Sequence, residues 1–237
     1  MIQKIKESLH SLSSGSKIES SKRFFKTQKG EYAEKDRFIG VSVPLVKSVA
    51  KQYFKEINLN ELTELLHSDI HEERSLALFI LVEKFTKTKD KLEKDEIVNF
   101  YIDEKNLKYI NNWDLVDLSC YKILGEYLTT NEDKINIIYS FAKDTNFWIR
   151  RIAIVSTLAF IKKRQFNHTT AIAKILLNDN QNLIHKATGW MLREVGEKDK
   201  PELINFLNEH CKQMPRVALS YAIEKLTLEE KAFYRMK

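Results

Sequence analysis

The chain has 237 residues, with 39 Lys and Arg against 33 Asp and Glu, a net charge of +6 and a pI near 9.1. That length suits one large domain or an extended repeat array, and six glycines with three prolines are too few for the turns of a large sheet, which leaves helices joined by short polar connections. No apolar run is long enough for a membrane span or a secretory leader, and Cys120 and Cys211 lack metal-ligand spacing, so a reduced, cytoplasmic protein without metal or cofactor is expected.

In chain order, the N-terminal third to about Lys55 is the least regular part. It contains the glycine-bearing connection KGEYAEKDRFIGVSVP and reads as a cap on the helices after it. From there apolar residues recur at helical spacing almost everywhere. Asn60 caps a short helix, NELTELL, and HEERSLALFILVEKF (71–85) forms the next. DKLEKDEIVNFY (90–101), residues 113–128 and residues 131–142 come next, the last with an Asn131 cap. The run continues with helices at 147–163, 169–177, 183–195, 201–211 and 216–226, and Pro201 and Pro215 suit first-turn positions.

These helices alternate between a short amphipathic type and a longer, more apolar type. Pairing them gives units of roughly 31 to 40 residues anchored on Ala77, Asp117, Ala153, Ala187 and Ala218, the period of HEAT-type two-helix repeats. The expected architecture is therefore all-α: one domain over residues 1–237, a cap to about residue 55 and a curved stack of repeats over 56–237.

Charge is unevenly spread. Residues 1–112 carry 20 basic and 18 acidic side chains, whereas Thr145–Arg193 carries Arg150, Arg151, Lys162, Lys163, Arg164, Lys174, Lys186 and Arg193 against Asp179 alone. Such a stretch suits either a phosphate-backbone binder or a solvated basic face.

Three segments could carry chemistry. In NNWDLVDLSC, Trp113 and Asp117 are four apart and share a helical face, and Asp117 takes the place that other repeats give to alanine. An acid there serves a structural ion pair or a reaction, while Asp114 suits the N-terminal end of its helix. In FWIRRIAIVSTLAF, Trp148 and Arg151 share a face and Arg150 is displaced from it; an arginine in so apolar a helix needs a carboxylate or phosphate, with Asp117 one repeat earlier as candidate. In IHKATGWMLREVG, Lys186, Trp190 and Arg193 form a basic–aromatic–basic stripe, Gly189 leaves room for the approach of another chain, and His185 faces away. No glycine-rich phosphate loop, HExxH or Ser–His motif occurs.

The segments NNWDLVDLS (111–119), NFWIRRIAI (146–154) and IHKATGWMLREV (184–195), in that order and spacing, resemble the AlkD-type DNA alkylation repair family of HEAT-like bacterial DNA glycosylases, and the resemblance runs over most of the chain. It implies a right-handed, curved solenoid that acts as a monomer on duplex DNA. It implies excision of cationic purines such as 3-methyladenine and 7-methylguanine without flipping the lesion into a deep pocket. By the same resemblance Asp117 is the catalytic carboxylate, Trp113 and Trp190 are aromatic walls beside the lesion, and Arg151 is the phosphate and active-site arginine. The family's N-terminal aromatic, often a tyrosine, maps to Phe24 or Phe25. Arg150, Lys186, Arg193, Lys162, Lys163, Arg164, Trp148 and Phe24 are the further candidates for DNA contact. The alternatives are a non-catalytic relative that binds damaged or branched DNA, and a scaffold for a protein partner.

Overall fold

Apolar periodicity becomes helix along nearly the whole chain in the computed structural model, which describes residues 1–236. Among these residues no β-strand forms, and pairing of that kind is confined to one isolated bridge, Arg37 to Ile70. No helix is long and apolar enough to cross a membrane. The chain divides into two compact units, Met1–Ser119 and Cys120 onward.

The first unit opens with α1 (Ile2–His10), which buries Ile2, Ile5 and Leu9 on one face and packs on α3 (Val43–Tyr53) and α4 (Leu59–Leu66). Between α1 and α3 lies α2 (Gly15–Phe25), which buries no residue. The N-terminal third is thus more regular than its sequence suggests: three helices, with only the Lys26–Ser42 connection irregular. The cap of α4 is Asn58 rather than Asn60. Its side chain accepts from the Glu61 amide while Glu61 accepts from the Asn58 amide, so both ends of the box close two residues earlier than expected. Helix α5 (His71–Lys87) is buried on most of its circumference and receives α3, α4, α6 (Lys91–Ile102) and α8 (Trp113–Ser119). The short α7 (Glu104–Leu107) links the last two.

Residues 113–128 do not form one helix. Ser119 Oγ donates to the Leu115 carbonyl four residues back, at 2.7 Å, competing with the helical ladder, and α8 stops there. A π-helical turn, Tyr121–Gly125, and the single turn α9 (Glu126–Leu128) open the second unit. The expected Asn131 cap is absent: its side chain turns back to the Tyr127 carbonyl, a 3₁₀ turn (Glu132–Lys134) intervenes, and α10 (Asn136–Phe141) comes after it. The long apolar run after Phe147 is interrupted too. Buried Thr157 bonds the Ile154 carbonyl through its hydroxyl, at 2.7 Å, dividing α11 (Phe147–Ser156) from α12 (Leu158–Lys162). The remainder is α13 (Asn167–Ile175), α14 (Asn182–Lys198), α15 (Lys200–His210), α16 (Arg216–Ala222) and α17 (Leu228–Met236). Pro201 lies in the first turn of α15, and Pro215 precedes α16.

Within each unit the longer helices pack on one another, α5 on α8 in the first, and α11 on α14 and α14 on α16 in the second, with shorter helices filling in beside them. Ala77, Ala153, Ala187 and Ala218 are all buried at these contacts. A close approach is made at Gly189: a Cβ there would stand 2.3 Å from the Ala218 carbonyl oxygen and 2.6 Å from the Tyr221 Cβ. The space beside Trp190 is therefore taken by α16 of the same chain, not held open for another molecule. Gly189→Ala must push α14 off α16, and is expected to cost about 2 kcal/mol. A lower urea midpoint at unchanged m-value would register the loss.

Candidate active site

Two residues of the first unit face the same way by construction. Trp113 begins α8, Asp117 stands one turn further on, and both are half-buried while Leu115 and Val116 between them are buried. The indole of Trp113 belongs to an aromatic group that α2 brings in from the N-terminal third. Phe24 meets Trp113 edge-on at 5.6 Å between centroids, and Phe25 stacks on it at 5.6 Å. Phe24 is 65% exposed although aromatic, so α2, which buries nothing, presents a phenyl ring to solvent next to the indole. Both N-terminal aromatic candidates therefore touch Trp113, and Phe24 is the exposed one.

The start of α8 is pinned by charges that sequence reasoning passed over. The first four residues of α5, His71, Glu72, Glu73 and Arg74, are all buried, and each holds a different segment. Successive residues point about 100° apart around a helix, which is why one turn serves four directions. His71 bonds Asp36 through Nδ1 at 3.1 Å and Asp114 through Nε2 at 2.8 Å. Arg74 donates to Asp36 at 2.7 Å and to the Ser68 carbonyl at 2.9 Å. Glu73 takes Lys6 and His10 of α1, at 3.4 and 2.6 Å. Glu72 accepts the backbone amides of Ile39, Gly40 and Val41. Asp36 further accepts from the Asn112 side chain at 3.0 Å, and Asn112 accepts the Trp113 amide at 2.8 Å. Burial works to raise the Asp36 carboxyl, but the His71 hydrogen bond and the Arg74 charge hold it below the usual range. Asp114 does lie in the first turn of α8, as expected of an acid at a helix start, and its partner is His71. The available signal was four consecutive polar residues opening an otherwise apolar helix.

In the second unit the candidates divide into separate groups. Arg151 is 5% exposed and donates to the Leu183 carbonyl at 2.6 Å. Trp190 is half-buried, and its indole N–H donates to Glu194 at 2.9 Å. Arg193 bridges Glu194 and Glu224, so the expected basic–aromatic–basic stripe carries two acids as well. Trp148 is 6% exposed, a core side chain against Phe147. Arg150 is forked onto Asp179 at 2.6 and 3.2 Å. His185, expected to face away from Trp190, bonds the Asp179 carbonyl through Nε2 at 2.6 Å.

The basic excess along residues 145–193 is much reduced in space. Lys163 pairs with Glu126 at 3.5 Å, Arg164 with Asp199 at 3.3 Å and Lys174 with Glu209 at 3.7 Å. Those acids lie outside that stretch. Lys162 is exposed and sits over the Tyr121 ring at 4.3 Å. Lys186 is half-buried, with no ion pair among the described residues.

The sequence model of the DNA alkylation repair enzyme family matches residues 5–226. The chain belongs to that family. Two solved structures share its fold. A predicted DNA alkylation repair enzyme from Enterococcus faecalis superposes with a TM-score of 0.71 at 18% identity, over 91% of this chain and 97% of that one. AlkD2 from Streptococcus mutans superposes with a TM-score of 0.56 at 17% identity, over 88% and 96%. No curated protein matches the chain. The family fixes the broad assignment, DNA alkylation repair on an all-helical fold, and leaves the acting residues to be argued from geometry.

Proposed function

We propose that this member of the family is a DNA glycosylase, which hydrolyses the N-glycosidic bond of cationic alkylated purines such as 3-methyladenine and 7-methylguanine in duplex DNA. The observation that carries the reading is on α8: a half-buried indole and a half-buried carboxylate one turn apart, beside the exposed ring of Phe24. A cationic purine leaves without being protonated, so the residue needed is one that stabilises the positive sugar as the bond breaks. A preorganised carboxylate does so, as in glycoside hydrolysis, and Asp117 takes this role and can orient the attacking water. Trp113 packs against the lesion nucleotide, where an indole face attracts a cation by about 0.5–1 kcal/mol when exposed and more when dry.

In the second unit Arg151 is assigned to a backbone phosphate and Trp190 to a nucleotide. Lys186 and Lys162 are the cations available to DNA without breaking an ion pair, whereas Arg150, Lys163, Arg164 and Arg193 must exchange a carboxylate for a phosphate. Binding is expected to weaken as salt rises. The protein acts as a monomer in the cytoplasm and needs no cofactor.

The test is release of free base. Incubation with methylated duplex DNA followed by chromatography is expected to yield 7-methylguanine and 3-methyladenine. A protein that releases neither base and prefers branched junctions to intact duplex would be the non-catalytic binder instead.

A further inference from the structure

His71 is 2% exposed, and both of its ring nitrogens face carboxylate oxygens, Nδ1 that of Asp36 and Nε2 that of Asp114. A neutral imidazole carries one N–H and could donate to only one of them; only the imidazolium donates to both. The surrounding charges fit a cation. Asp36 and Asp114 supply two negative charges and His71 with Arg74 two positive ones, while Glu72 and Glu73 on the same turn point away, to the Ile39–Val41 backbone and to α1. The two carboxylates are not held alike. Asp36 has Arg74 and Asn112 besides, whereas the second oxygen of Asp114, Oδ1, is buried and accepts no hydrogen bond. His71 is what holds Asp114.

Asp114 lies between Trp113 and Asp117 on α8, so this hydrogen bond sets the first turn of that helix. The same ring reaches Trp113 by a second route. His71 packs against Phe25 and Phe38, at 4.7 Å each, and Phe25 stacks on Trp113. Through Asn112 and Asp36 the cluster also anchors the backbone amide of Trp113.

We infer that His71 is a positioning residue: clamped as an imidazolium between Asp36 and Asp114, it fixes the first turn of α8 and the Phe25–Trp113 stack, and so sets where Trp113 and Asp117 stand for base excision. It touches neither base nor sugar. The inference rests on the base-excision reading for its consequence, though not for its geometry. Burial presses the imidazole to lose its proton, but the charge and hydrogen bond of Asp114, then the hydrogen bond of Asp36, outweigh burial and the Arg74 charge and hold it up to about 9. The stabilisation from the clamp is full below the ordinary histidine pKa of about 6.5 and is lost as pH rises through about 9.

The experiment compares wild type, Asp114→Asn and His71→Gln. Nitrogen-15 spectra of labelled histidine are expected to show His71 protonated on both nitrogens at about pH 7.5, well above its ordinary titration range. In single-turnover excision from 7-methylguanine duplex, both variants are expected to be at least about tenfold slower, with DNA affinity changed by less than about threefold. The wild-type rate is expected to fall as pH rises through about 9, and in Asp114→Asn that fall should move towards neutral pH. A His71 ring that is neutral at neutral pH, or folded variants with wild-type rate and pH profile, overturn the inference. Should His71→Gln fail to fold by circular dichroism, Asp114→Asn carries the kinetic arm alone. If wild type releases no base, the base-excision reading fails on its own account, and two spectra still decide the clamp. A doubly protonated His71 with a Trp113 indole resonance displaced in Asp114→Asn supports it; a neutral ring or an unmoved indole sinks it.

Discussion

Asp117→Asn is expected to slow release of 7-methylguanine from methylated duplex DNA by about 10²–10³-fold, the cost of removing one preorganised electrostatic contact from a transition state. The substitution keeps the shape of the side chain and removes its charge. The substrate makes this a clean experiment, because a cationic purine has a neutral leaving group and its departure builds positive charge on the sugar alone. An amide offers that sugar a dipole in place of a full charge and is a poorer base for the attacking water. Affinity for the same DNA is expected to stay within about threefold, since backbone phosphates and their cations dominate binding. Equilibrium binding beside single-turnover kinetics separates the possible results. Loss of both affinity and excision would mark Asp117 as structural, and retained excision would remove it from the mechanism.

The sequence exposed the helices of this fold and concealed how their charges pair. Apolar periodicity depends on residues three and four apart, and it located the helices between residues 59 and 226 apart from the short α7, but not the three of the N-terminal third or α17. It did not foresee the interruptions at Ser119 and Thr157, where a buried hydroxyl bonds a carbonyl one turn back, because a serine or threonine in an apolar run looks like any other small residue. The pairing of Trp113 with Asp117 was legible for the same reason as the helices, being local. The basic stretch is less lopsided in space than along the chain because most of its counter-charges lie outside it. Arg150 reaches Asp179 29 residues on, Arg193 reaches Glu224 31 residues on, and Arg164 reaches Asp199 35 residues on. Each pair therefore joins segments about 30 residues apart in the chain, a distance at which local reading of the sequence cannot match acid to base. A charge count along residues 145–193 sees both members of Arg150–Asp179 but only the basic member of the pairs made by Lys163, Arg164, Lys174 and Arg193. The His71 clamp was only half visible: the polar opening of α5 marks His71, but its partners Asp36 and Asp114 are brought to it only by tertiary packing.

The largest loss of stability is expected at Glu72, whose partners in the α5 opening are three successive backbone amides. Its buried carboxylate gathers the amides of Ile39, Gly40 and Val41, the closest at 2.8 Å. Three successive N–H groups converge on one anion only if the chain between them turns the unusual way, and Gly40 has φ +76°. A Cβ at Gly40 would also stand 2.3 Å from the Ser14 carbonyl oxygen, so the residue serves the turn and the approach of α2 together. Glu72→Ala leaves those amides without their acceptor. Hydrogen bonds to a charged group contribute about 1.5–3 kcal/mol each, and partial relaxation of the loop makes the sum smaller than three such terms, so a loss of about 3–5 kcal/mol is expected. Glu72→Gln keeps one good acceptor oxygen but turns an amide donor towards other donors, and is expected to cost about 1–2 kcal/mol. Denaturant unfolding gives the magnitude, and hydrogen exchange gives the location: the amides of Ile39, Gly40 and Val41 should lose protection first. The effect should extend beyond stability. The same connection carries Asp36 and Phe38, which hold His71, so loosening it at Glu72 is expected to disturb the Trp113 stack while leaving α14 and its Gly189 contact with α16 unchanged. A Glu72→Ala protein within about 0.5 kcal/mol of wild type, the range of an ordinary surface substitution, would show that the Ile39–Val41 turn is held by something other than this carboxylate.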